Sequence, residues 1–210
     1  MPLVHRSLRG ALFVAFVAVV GRSWSFTAVV DWRPVLTHVP PAAADVALAR
    51  AWRVLTDFDH YGEWNSFTVG VDTAPGLPEP GSPVGLSVVL GQPWPLDRWH
   101  GAHGGPGTRL ELNFTWLEFN PTTRRMCWGI RHARAPLGLG PALHRVLHSN
   151  RCAELRHDEG TGEVQVRHTD ENVGALAPLV GLLFRSPIER GFAQMTEDLA
   201  RRLRADAKKE

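Results

Sequence analysis

The stretch AWRVLTDFDHYGEWNSF, Ala51 to Phe67, changes character at its middle, and that change decides how the chain folds. Its first residues close a run of strong helix formers from Ala42 to Thr56. That run follows a β-branched and aromatic strand, Phe26 to Val39, and the break at Pro40 and Pro41. Its second half, Asp57 to Phe67, is aromatic and polar without clean periodicity, which predicts a short second helix or a structured turn. A proline and glycine tract, Ala74 to Pro83, then interrupts the chain.

Working outward from this point, the runs Val84 to Leu90, Arg109 to Phe119, Arg125 to Ala133, Leu143 to His157 and Glu163 to Asn172 read as strands. The polar connections Asn120-Pro121 and Asp158 to Gly162 are short, and short links imply antiparallel neighbours, hence a meander. The chain closes with an apolar block, Ala175 to Phe184. After Pro187, Ile188, Phe192, Met195, Leu199 and Leu203 recur at steps of three and four. This is an amphipathic helix, and the large apolar surface available to its stripe is the concave face of the sheet. The fold class expected is α+β.

The chain has 210 residues, 44% hydrophobic and 21% charged, which suits one globular domain, taken as 26–207. The formal net charge is only +2, and the basic run Arg201 to Lys209 is interspersed with acidic and apolar residues at helical spacing. A solvated helix face is expected there, and no nucleic-acid partner. Cys127 and Cys152 lack zinc or redox spacing. Two idle thiols are expected, with pairing open if their strands are neighbours. There is no Gly-x-Ser-x-Gly elbow, no phosphate loop and no His-Glu-x-x-His, so neither a cofactor nor a metal is expected.

Residues 1–25 form an N-terminal extension. Its segment Ala11 to Val20, ALFVAFVAVV, is flanked by Arg6, Arg9 and Arg22, the layout of a signal or anchor. It falls short of the roughly 20 apolar residues a spanning helix needs. Two localisations stay open, a cytoplasmic protein or one exported or membrane-associated through residues 11–20. A monomer and a homodimer are equally compatible with the sequence.

The motif Ala51 to Phe67 resembles the signature of the SRPBCC, or START-like, superfamily, in which a Trp-bearing helix runs into Asp-Phe, an aromatic residue and Glu-Trp-Asn. TDENVGALAPLVGLLF, Thr169 to Phe184, with ERGFAQMTEDLARRL, Glu189 to Leu203, is similar to the ending of its polyketide cyclase/dehydrase-like branch. The resemblance covers about Phe26 to Ala205. It implies a helix-grip fold, an antiparallel sheet wrapped around a long C-terminal helix with an internal hydrophobic cavity. The functions it implies range from aromatase/cyclases to lipid carriers and pollen-allergen-type binders. The sequence departs from the pattern at Ser66, where proline is usual, and in the long Trp-, His- and Gly-rich segment Gly91 to Gly107.

Alternation along the strands assigns the cavity lining. Leu110, Leu112, Phe114 and Trp116 point inward and carry Glu118 with them; Met126, Trp128 and Ile130 carry His132. Leu147, Ser149, Arg151, Ala153 and Leu155 form the next inward set, and Val164 and Val166 bring His168, Asp170 and Asn172 to the same face. His168 and Asp170 are the candidate acid and base, with Arg151 stabilising an enolate, chemistry that a polyketide-type cyclisation or dehydration needs. The same three residues also suit a satisfied polar end of the core.

Trp64, Trp116 and Trp128 are candidate stacking surfaces, with Phe192 from the closing helix, and equally candidates for plain packing. Tyr61 and Asn65 are placed at the cavity mouth, or in a turn that bonds its own backbone. The expected partner is a small hydrophobic molecule. Three functions fit: a cyclase/dehydratase-like enzyme, a carrier of lipid or another hydrophobic metabolite, and an interaction module without a ligand.

Overall fold

The computed structural model describes residues 24–90, 108–130 and 147–208. The segments 11–20 and 91–107 and His132, all singled out above, lie outside the described residues. Strand β1 (Ser25–Leu36) leads through a 3-10 turn at Pro41–Ala43 into helix α1 (Ala44–Leu55). A second 3-10 turn, Phe58–His60, and the single helical turn α2 (Tyr61–Trp64) follow. Strands β2 (Thr68–Thr73), β3 (Pro83–Leu90), β4 (Thr108–Asn120), β5 (Arg125–Ile130), β6 (His148–Asp158) and β7 (Glu163–Val173) precede the long helix α3 (Ala177–Ala207).

The seven strands make one antiparallel sheet in the order β1-β7-β6-β5-β4-β3-β2. The meander thus closes with β1 alongside β7. Helix α3 lies on the concave side, burying Ile188, Phe192, Met195, Leu199 and Leu203, and α1 buries Leu48, Ala51 and Leu55. This is the α+β helix-grip architecture expected from the sequence.

Three details differ from the sequence reading. Strand β2, TVGVDT, lacked strand signal because it is six residues long with Gly70 inside, and its pairing with β3 defines it. The apolar block and the amphipathic segment form one helix of 31 residues running through Pro187. A proline in a helix forfeits one backbone bond, and here its ring is buried beside Ile188. Finally, Cys127 and Cys152 are not idle thiols. They are directly opposed on β5 and β6, Cα atoms 4.1 Å apart, and form a disulfide.

Candidate functional site

The β6 and β7 ladder builds the site. Its register sets Ser149 opposite Asn172, Arg151 opposite Asp170 and Ala153 opposite His168, three successive pairs on the concave face. Ser149, Asn172, His168 and Asp170 are buried, Asp170 with no exposed surface at all. Valines 164 and 166 continue the same face, so strand alternation carries four polar residues into an apolar interior.

Arg151 is the least buried member, its side chain 14% exposed, and its Nε lies 3.2 Å from Asp170 Oδ1. The contact is an ion pair without an aligned hydrogen bond. Arg151 Nε, both Asp170 oxygens, Ser149 Oγ, Asn172 Nδ2 and His168 Nε2 are buried without a hydrogen-bond partner. The Arg151 guanidinium reaches over the Phe114 ring, 5.4 Å from its centroid, and in register Arg151 adjoins Trp128 of β5. Phe114, Ser149 and Asn172 thus join the site, although only their inward alternation had marked them in the sequence.

His168 does not bond Asp170. Its ring stacks on Phe192 of α3, centroids 5.1 Å apart and planes at 19°. Burial pushes its pKa down to about 4, so the imidazole is neutral at physiological pH.

The aromatic residues form a second layer. Trp116 and Trp128 meet edge to face at 5.7 Å, and Trp116 touches Phe58 at 5.5 Å. Between them, Tyr61, Leu86 and Met195 lies an enclosed gap of about 10 Å³, room for roughly one water. The Tyr61 hydroxyl donates to the Leu55 carbonyl at 2.5 Å, tying α2 to the end of α1, and burial pushes its pKa up. Trp64 is half-buried, with its ring 5.0 Å from Tyr61 and its indole N–H unpaired. Asn65 accepts from the Phe67 and Thr68 amides at 3.1 and 2.9 Å, the self-bonding turn rather than a cavity mouth.

Glu118 is turned away from this layer. The β4/β5 register slips between Trp116 and Glu118, so Leu117 is bulged and the alternation inverts beyond it. Phe119 therefore takes the inward place, against Trp52 at 5.5 Å and Trp116 at 5.8 Å. Glu118 sits on the outer face, 3.6 Å from Arg125 and 3.8 Å from the Cys127 sulfur.

Asp198 of α3, unmarked in the sequence, anchors the motif turn. It is 2% exposed and accepts from the Ser66 amide at 2.9 Å and its hydroxyl at 2.5 Å, with Arg201 3.0 Å away. Serine at position 66 supplies both donors, an amide and a hydroxyl, neither of which a proline there would have. Among the described residues no helix is long and apolar enough to cross a membrane, and no cluster of His, Cys, Asp or Glu is placed to hold a metal.

The chain is similar in structure to the crystal structure of Ara h 8.0201, with a TM-score of 0.51 over 88% of this chain and 99% of that one. The chain has the helix-grip fold. Identity to that protein is 12%, so the likeness is one of fold alone. An uncharacterized protein from Rhizobium leguminosarum, solved at 1.9 Å, is 14% identical with a TM-score of 0.47 over 86% of this chain and 97% of that one. No protein-family model and no curated protein matches the sequence.

Proposed function

We propose that this helix-grip protein binds a small, largely apolar molecule between the concave face of its sheet and α3, with the Arg151 and Asp170 strip receiving the molecule's polar group. One observation carries this reading: a row of buried polar atoms on an apolar face, Arg151 and Asp170 paired only by charge, has no hydrogen-bond partners in the protein. Native interiors pair such groups, and each one left unpaired costs about 1–3 kcal/mol. A guest that supplies donors and acceptors removes that penalty.

Arg151, the part-exposed member, marks the way in. A guest larger than one water parts the Trp116 and Trp128 rings, so binding includes a rearrangement of the aromatic layer. Native mass spectrometry of freshly purified protein tests the reading directly, because a co-purifying hydrophobic molecule is expected. In a thermal-shift screen of apolar metabolites, a ligand at a hundred times its Kd adds about 2.7 kcal/mol to stability. A screen without a single stabilising compound, together with an empty mass spectrum, overturns the reading in favour of an interaction module.

The second reading is acid–base catalysis of a polyketide-type cyclisation or dehydration. It draws on His168, a neutral imidazole two residues from Asp170 on the same face, with Arg151 beside the place where an enolate would form. Asp170→Asn separates the two. Turnover is lost while affinity is kept if the protein is an enzyme, and affinity is the only property to measure if it is a carrier.

A further inference from the structure

We infer that the first turns of α3, with the start of β1, form a face that docks on an anionic lipid surface. Leu176, Leu179 and Leu182 follow one another at steps of three and are 43%, 50% and 82% exposed. Trp24, 45% exposed, belongs to the same end of the molecule, because its carbonyl accepts from the Gly174 amide at 2.9 Å. Gly181 holds the crossing close, since a Cβ there would come within 2.9 Å of the Phe26 ring. Of the seven large hydrophobic side chains exposed among the described residues, four are gathered here. A water-facing patch of this kind on two tied elements marks an interaction site.

Charge and chain connectivity choose the occupant. Residues 1–30 contain Arg6, Arg9 and Arg22 and no Asp or Glu, whereas on α3 the charge of Arg185 is paired with Glu189, Nε to Oε1 3.3 Å. Exposed leucines joined to a leading segment that is basic and free of acids suit lipid acyl chains beneath anionic headgroups. Trp24, at this face, is preceded by 23 residues that include the apolar run Ala11 to Val20. At ten apolar residues that run falls short of the roughly 20 a spanning helix needs, a length that suits interfacial rather than spanning contact. Trp24, Leu176, Leu179 and Leu182 are not residues of the Arg151 and Asp170 strip, so the inference is tested independently of ligand binding.

The test is flotation of the full chain with vesicles of equimolar phosphatidylglycerol and phosphatidylcholine, and with phosphatidylcholine alone. Binding to the anionic vesicles is expected, weaker by about tenfold on the neutral ones and weaker again at high salt. L179S/L182S is expected to reduce anionic-vesicle binding about tenfold, and Leu182→Ser alone about threefold. Leu77→Ser, 77% exposed on a different loop, leaves binding unchanged. Melting curves confirm that the variants fold, as their exposed positions predict. The inference is overturned if the wild-type chain does not float, or if L179S/L182S floats like the wild type. It is equally overturned if L179S/L182S lowers the melting temperature or dissolves a dimer while flotation is unchanged, since the face then belongs to the protein's own N-terminal segment or to a second copy.

Discussion

Arg151 and Asp170 face each other across the β6 and β7 ladder with Nε 3.2 Å from Oδ1, and neither group has an aligned hydrogen bond to the other. The carboxylate is fully buried, so its charge is compensated chiefly by that guanidinium. A buried pair of this kind contributes little net stability when intact and a large penalty when halved.

Arg151→Met is therefore expected to destabilise the fold by on the order of 3 kcal/mol, seen as a lower urea midpoint at unchanged slope. R151M/D170L should recover most of the loss, because no lone charge then stays buried. A double variant as unstable as the single one would show that the damage comes from packing rather than from charge.

The neutral state of His168 sets a pH dependence. Its folded pKa, about 4, lies below the ordinary 6.5, so the unfolded chain binds the extra proton first as pH falls. The stabilisation is present above pH 6.5 and is lost progressively toward pH 4, by about 3 kcal/mol in all. Chemical denaturation at several pH values across that window should show the slope in the wild type and not in His168→Phe.

The Cys127 to Cys152 bridge closes a loop with a sequence separation of 25. Loop-closure entropy alone assigns such a bridge about 3 kcal/mol, or roughly 10 °C in Tm for a domain of this size. C127S/C152S and the wild type with reductant should melt together, both below the oxidised wild type. Identical melting of oxidised and reduced protein would contradict this.

Asp198→Ala should destabilise by about 2–3 kcal/mol, since it leaves the Ser66 amide and hydroxyl without their acceptor. The loss is predicted to be local. Hydrogen exchange should accelerate first in the turn after α2, whereas exchange as slow as in the wild type there would exclude the anchoring role.

Much of this architecture was legible before any coordinates. Alternation along β6 and β7 assigns faces to Ser149 to Leu155 and Val164 to Asn172, and steps of three and four mark the buried stripe from Ile188 to Leu203. Where the alternation was interrupted, the reading went astray. The bulge at Leu117 moved Glu118 outward and Phe119 inward, and a bulge has no residue signature distinct from ordinary strand. Strand β2 carries too few residues around Gly70 to announce itself, and only its bonds to β3 make it a strand.

Local periodicity, then, is enough to determine the order of the elements other than β2, the buried stripe of the closing helix and the inward polar residues of β6 and β7, because each depends on which side of one helix or strand a residue occupies. The pairing of Cys127 with Cys152, the stacking of His168 on Phe192 in place of a bond to Asp170, and the hold of Asp198 on Ser66 were decided by tertiary structure alone. Each joins residues on different elements, and their approach depends on strand register and helix docking, which no spacing along one segment encodes.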